Sequence, residues 1–474
     1  MSRGGSLCLL LHSHMPYVEG FGTWPFGEEW LFEAMASSYV PVLDAIGDAP
    51  VTVTVTPVLA DQLEAVRDGE AGERYERFVR ELRALVHEED AKDLEQAGEE
   101  PLAAELRRAA GDYERAASFG GDLLGVFARL SHAELWTSTA THAVLPLVAT
   151  RGGAALQLAA GIESHHARFD GWRGGLWLPE CAYRPGLEHD LAEQGVHVVC
   201  VDQTDQFGHG SLDQLEPVRT SEGVIAVPID WDTICLVWDM DDGYPTAPAY
   251  RDYHRKTRYH LKPWNTAGEP YAYDDAAAQA REHARDFVAR AAARLDAYAR
   301  ERGRPGLLCC ALDTELLGHW WYEGPLWLEA VIEEAGAAAV DLRTVSDAVA
   351  ACEPVERELA ESTWGKPKTL RTWDSPAVAE IAFAQRCGEL AVVAAATRFG
   401  RSARLERATR ELLALQASDW AFQATYDQAG TYPLERVRYH SAALHAALDT
   451  EGPEPDPHVR NLQPQLDLSP LVLP

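Results

Sequence analysis

The stretch Leu307-Leu308-Cys309-Cys310-Ala311-Leu312-Asp313-Thr314-Glu315 is an apolar run that ends abruptly in two acids. Such a run, bounded by a polar turn, predicts a strand buried on both faces with its polar end presented for chemistry. Similar short runs recur at residues 7–11, 51–56, 135–137, 175–178, 196–201, 224–229 and 338–342. Helical stretches separate them. One, dense in Ala, Glu and Arg, covers about residues 72–130, with breaks expected at Gly111 and Gly120-Gly121; another covers residues 274–302. This alternation predicts an α/β fold with a parallel sheet covered by helices, and the number of strands suits a closed or nearly closed (β/α) barrel. Beyond about Asp347 the strand pattern ceases, and residues 376–397, 402–415 and 434–448 read as amphipathic helices. The expected organisation is a barrel over residues 1–345 with a helical insertion at about 72–130. A helical domain contributing to the cleft follows over 346–450, then a loose Pro- and Asp-rich tail over 451–474.

Composition narrows the function. Forty-two basic residues against seventy-four acidic ones give a formal charge of −32, which disfavours nucleic acid or an anionic membrane as partner. A neutral substrate is not repelled. The fourteen tryptophans are many for 474 residues, and indole rings stack on the flat C–H faces of sugars. The eight cysteines show no metal-ligand spacing and lie in apolar stretches, so a disulfide framework is not expected. The apolar run at residues 7–11 is too short for a signal peptide, and no stretch approaches the ~20 apolar residues of a membrane span. A cytoplasmic enzyme is the expectation.

Four strands run into unusual clusters. Residues 7–11 lead into His12-Ser13-His14, residues 135–137 into Thr141-His142, residues 175–178 into Pro179-Glu180-Cys181, and residues 307–312 into Asp313, with His319-Trp320 shortly after. In a barrel these ends converge on one mouth. Glycosidic cleavage needs two carboxyls flanking the scissile bond, about 5–5.5 Å apart in the retaining route. Glu180 and Asp313 are the natural pair. Other readings stand beside this one: Glu180 as a helix cap or partner of Arg184, and Asp313 as an N-cap. His-x-His with a later His and Asp also describes metal-dependent barrel hydrolases. A non-catalytic carbohydrate-binding module is the third.

With these residues assembled, the sequence resembles glycoside hydrolase family 57, and within it the glucan-branching members. The similarity is carried by His12-Ser13-His14-Met15-Pro16-Tyr17-Val18 with Trp24-Pro25-Phe26-Gly27-Glu28-Glu29, and by Thr137-Ser138-Thr139-Ala140-Thr141-His142. It continues in Trp177-Leu178-Pro179-Glu180-Cys181-Ala182-Tyr183-Arg184-Pro185, in residues 313–324, and in Ser418-Asp419-Trp420. The resemblance implies an incomplete (β/α)7 barrel with inserted helices and an α-helical C-terminal domain. It implies Glu180 as nucleophile and Asp313 as general acid/base in a retaining mechanism with no metal or organic cofactor, acting on an α-1,4-glucan or glycogen-like oligosaccharide. By motif position His12, His14 and His142 hold the sugar at the cleavage point, and Trp24, Trp238, Trp364, Trp373, Asp419 and Trp420 line the cleft. His319 and Trp320 belong to the fourth motif and join the substrate-binding set. Branching members carry a longer loop with a tyrosine that folds over the site, whereas residues 202–237 here are short and hold no tyrosine. A missing lid favours water over a sugar acceptor, so α-1,4-glucan hydrolysis stands as the alternative to branching.

Overall fold

The computed structural model describes residues 4–119, 121–239 and 241–472. Its centre is a set of parallel strands: β1 (Gly5–Ser13), β2 (Thr52–Val55), β3 (Glu134–Ser138), β4 (Gly175–Trp177), β5 (Val198–Val201), β6 (Ile225–Pro228) and β7 (Gly306–Asp313). Their spatial order is β6-β5-β4-β3-β2-β1-β7. The outer strands β6 and β7 approach each other through the bridge Ile229–Cys309, where Asp230 N–H donates to the Cys309 carbonyl at 2.8 Å. The sheet therefore curls almost to closure, as the incomplete seven-stranded barrel requires. Each expected apolar run is a strand, the one at 338–342 shrinking to Asp341–Leu342 beside β1. Two short strands were not expected: Val355–Glu356 pairs with Val218–Arg219, so the chain past Asp347 still touches the sheet.

The helices bury small-residue faces on this sheet. In Tyr273–Arg302 the buried positions are Ala276, Ala280, Ala284, Phe287, Val288, Ala291, Leu295 and Tyr298, the three-to-four spacing of one helix face. Helix Arg151–His166 comes closer still. At Gly161 an added Cβ would lie 2.1 Å from the Ser138 carbonyl oxygen at the end of β3. Gly161→Ala is expected to destabilise the fold by roughly 2–3 kcal/mol, measured by urea titration, because neither helix nor strand can retreat without opening the core.

Two expectations change. Gly111 does not break the insertion: it lies inside helix Glu100–Ser118 with open space around its Cα, and the break falls at residues 97–99 instead. Gly120 lies outside the described residues; Gly121 does stand between helices. The tail is not loose over its described part. Leu462, Leu466, Leu468 and Leu471 are buried, and the buried Arg410 donates to the carbonyls of Pro457, Leu462 and Gln463. Asp61 accepts from Gln463 N–H at 2.7 Å, tying the tail to the barrel. Residues 473–474 lie outside the described part.

Candidate active site

Glu180 follows β4 with φ 62° and ψ 21°, and Cys181 beside it and His142 after β3 also have positive φ. Non-glycine residues in the left-handed region cost energy and persist where the surroundings hold them, often at functional sites. Here the hold is explicit. Trp364 N–H donates to the Glu180 carbonyl at 2.9 Å, and the Trp364 indole donates to Glu180 Oε2 at 2.8 Å. Ser418 Oγ donates to Glu180 Oε1 at 2.8 Å. Burial pushes the carboxyl up to about 7, these two hydrogen bonds pulling against it.

The histidines stand in a stack beside this acid. His12 packs on Trp177 and on His142, with ring centroids 4.7 and 4.8 Å apart, and His142 packs on His14 at 4.2 Å. Ser418 has one proton and gives it to Glu180, so it must accept from His142 Nδ1–H at 2.8 Å. That fixes the tautomer: His142 Nε2 is a bare acceptor, buried without a protein partner, as are both nitrogens of His12. Burial, then the charge of neighbouring histidines, holds His12 and His142 below the usual imidazole range and therefore neutral. His14 differs. Burial lowers it, but Asp419, 3.0 Å from Nε2, together with Glu315 and Glu180, outweighs that and raises it. Both nitrogens of His14 are engaged, by Thr56 Oγ1 at 3.1 Å and by Asp419, which leaves the unpartnered nitrogens of His12 and His142 to meet sugar hydroxyls. Ser418 escaped the sequence-based selection although it adjoins Asp419 in the same motif. Ser418→Ala is expected to remove roughly 1–2 kcal/mol of transition-state stabilisation, read as about tenfold in kcat with KM little changed.

Asp313 closes the site from β7, where it is the register partner of His12 on β1. Burial raises its pKa well above the carboxylate range, and the neighbouring acids Glu315, Glu180 and Asp419 raise it further. Glu315 is the second residue that sequence reasoning passed over. It accepts from His14 N–H at 3.0 Å and from the Tyr39 hydroxyl, and burial pushes it up to about 7. The two acids of the pair therefore differ in what acts on them: at Glu180 two hydrogen bonds pull against burial, whereas burial and the neighbouring acids all favour the protonated form of Asp313. Glu315→Gln removes a negative charge that opposes ionisation of Asp313. Its alkaline limb in the pH profile of kcat/KM is expected to move to lower pH, and an unmoved limb would contradict this.

The aromatic set divides. Trp24 and Trp320 are about half exposed and, with Phe26, Tyr253 and His319, line a cavity of about 850 Å³ beside the mouth. Gly318 (φ 101°) sets the course of that wall, since a Cβ there would lie 1.9 Å from the Ser37 carbonyl oxygen. Trp238 is exposed at the end of the helix Trp231–Trp238 that follows β6. Trp364 is half-buried and touches Glu180 directly. Trp373 and Trp420 do not line the cleft as expected. Trp420 is fully buried, donates its indole N–H to the Ala414 carbonyl at 2.9 Å, and lies beneath Arg436; Trp373 packs in the core between Gly365 and Phe422. Ser418 and Asp419, the motif neighbours of Trp420, reach the site while the Trp420 ring turns into the core. His14, His142 and Asp419 also bring possible metal-ligand atoms within 4.8 Å of one another, although Asp419 lies on a helix and is not the strand-end Asp of the metal reading. Of these, His14 Nε2 is engaged with Asp419 and His142 Nδ1 with Ser418, while His142 Nε2 has no protein partner.

A nearly closed parallel barrel with paired acids and stacked imidazoles at the C-terminal mouth defines an enzyme of the glycoside-hydrolase type. The chain belongs to glycosyl hydrolase family 57, whose model matches residues 8–360, and the model for the C-terminal region of 1,4-α-glucan branching enzymes matches residues 382–455. The chain is 32% identical to a 1,4-α-glucan branching enzyme of Thermococcus kodakarensis, over 93% of this chain and 73% of that one. It is equally identical to a probable 1,4-α-glucan branching enzyme of Mycobacterium tuberculosis, over 93% and 91%. Among solved structures, the family 57 branching enzyme of Pyrococcus horikoshii superposes with a TM-score of 0.90 at 30% identity, over 99% of this chain and 97% of the other. The α-amylase AmyC of Thermotoga maritima superposes at 0.80 with 25% identity, over 94% and 93%.

Proposed function

We propose that the protein cleaves an α-1,4-glucan and transfers the released chain to a glucan 6-hydroxyl, forming an α-1,6 branch through a covalent intermediate on Glu180. The observation that carries this is a Glu180 carboxyl held by Trp364 and Ser418, with an Asp313 whose burial and acidic neighbours favour its protonated form. Asp313 protonates the leaving O4 as Glu180 Oε attacks C1. The acceptor O6 then bonds to C1, the C1–Oε bond breaks, and the O6 proton passes to the Asp313 carboxylate. His12 and His142 hold the hydroxyls of the sugar being transferred, His14 supports them from its place on His142 and Asp419, and Trp24, Trp238 and Trp320 offer faces to the glucan. The branching enzymes among the relatives, matched over most of both chains, support transfer rather than simple cleavage. No metal takes part in these steps, so exhaustive chelation is expected to leave turnover unchanged; loss of activity restored by one ion per chain would favour the metal reading.

A second reading, hydrolysis, is favoured by the stretch after β5. Residues 202–237 fold back on the body as short helices and strands, with Asp202 bound to the Trp231 indole and to Lys368 at 2.8 Å, and carry no tyrosine to cover the site. The likeness to an α-amylase fold agrees with it. Incubation with amylose, followed by debranching, decides between them. Branching yields new α-1,6 linkages in excess of new reducing ends, hydrolysis yields reducing ends alone, and inertness on every α-glucan overturns both. No helix among the described residues is long and apolar enough to cross a membrane. The eight cysteines are free, which fits a reducing, cytoplasmic compartment.

A further inference from the structure

The segment Arg-Asp-Tyr-His-Arg-Lys-Thr-Arg-Tyr-His-Leu-Lys at residues 251–262 sets five cations against one acid, within a chain of charge −32. Neither the barrel nor the carboxyl pair makes use of it. Three of its cations have structural partners. Arg251 binds Glu105, Arg258 lies 3.3 Å from Asp93, and Arg255 lies over Trp264 at 4.1 Å. Arg255 also donates to the Gly268 carbonyl, whereas Lys256 and Lys262 have neither an ion pair nor a hydrogen bond among the described residues. Their ammonium groups both sit over the ring of Tyr253, 5.1 and 3.9 Å from its centroid, and the ion pairs among the described residues include neither.

Tyr253 in turn leans on Trp320, with centroids 5.0 Å apart, and His260 meets Trp24 at 5.7 Å. These rings and both lysines wall the 850 Å³ cavity beside the catalytic mouth. The acid closest in influence, Glu33, is already engaged by Arg83 at 2.7 Å and by the Tyr113 hydroxyl at 2.6 Å. Burial, with Lys256, Arg251 and Arg83 opposing the pull of Glu33, draws Lys262 down to about 7. Two neighbouring cations without a counter-charge repel each other, and an anion between them would relieve that repulsion. The acidic remainder of the protein disfavours anions elsewhere, so recognition would be confined to this wall.

We propose that this wall binds an α-glucan carrying an anionic group, a carboxylate or a phosphate, with its sugar rings on Tyr253, Trp320 and Trp24 and its charge on Lys256 and Lys262. This rests on the α-glucan reading of the cleft. The test is calorimetric titration of the Glu180→Gln variant, with Asp313→Asn as a second non-turnover form. The probes are maltohexaose, its reducing-end aldonic acid, and a 6-phosphorylated maltohexaose. At least one anionic probe is expected to bind about tenfold more tightly than the neutral one at low salt. A gain for the aldonate alone identifies a carboxylate ligand, and a gain for the phosphorylated sugar alone a phosphate ligand. Adding Lys256→Gln and Lys262→Gln together is expected to abolish the preference while neutral maltohexaose still binds. Equal affinities before those substitutions, or a preference that survives them, overturn the inference and leave the α-glucan reading intact. Failure of all three probes to bind overturns both.

Discussion

Replacing Glu180 by Gln is expected to lower turnover on amylose by roughly four orders of magnitude or more, with the fold intact. Gln matches the shape of Glu and can still accept from the Trp364 indole or from Ser418, so the strained backbone at φ 62° keeps its supports. What it lacks is a negative oxygen able to bond to C1. The loss should fall on kcat, with KM changed little, because the histidine stack that holds the sugar is untouched. Circular dichroism and thermal unfolding that match the parent would separate lost chemistry from lost structure. Parental turnover in a folded variant would remove Glu180 from the mechanism.

Asp313→Asn is expected to reduce turnover on amylose by about a thousandfold or more, and by much less on an aryl glucoside with an acidic leaving group. The reason is the proton. A glucan O4 needs protonation to depart, whereas a good leaving group does not, so the penalty scales with leaving-group basicity. Removing Asp313 leaves in place the burial and the Trp364 and Ser418 hydrogen bonds that set the Glu180 carboxyl, so the acidic limb of the profile should stay where it is. Azide is expected to restore turnover of the aryl substrate as a glycosyl azide, since a small anion can attack the intermediate without base assistance. An equal loss on both substrates, with no rescue, would make Asp313 structural.

Much of the fold was legible because buried parallel strands write themselves as β-branched or apolar runs, as at 51–56 and 307–312. The carboxyl pair was legible for the same reason: each acid interrupts such a run at its end. Other features depend on contacts far apart in the chain. Gly111 is surrounded by strong helix formers, and a cost of about 1 kcal/mol for one exposed glycine does not end such a helix. The tail looked loose from its Pro and Asp content, yet its partner is a buried arginine some fifty residues earlier. Trp420 shares a motif with Asp419, but adjacent residues on a helix point about 100° apart, and only one of them faces the site. Ser418 reads as an ordinary helix-start residue. Its role emerges only when His142 and Glu180, distant in sequence, arrive on either side of its single proton.

The most direct test of a covalent intermediate on Glu180 is peptide mass spectrometry after treatment with 5-fluoro-α-maltosyl fluoride, which slows breakdown of the glycosyl-enzyme. The expected result is one maltosyl adduct per chain, on the peptide containing Glu180, absent from the Glu180→Gln variant. An adduct on another residue, or turnover without adduct and with inverted anomeric configuration in the product, would contradict it.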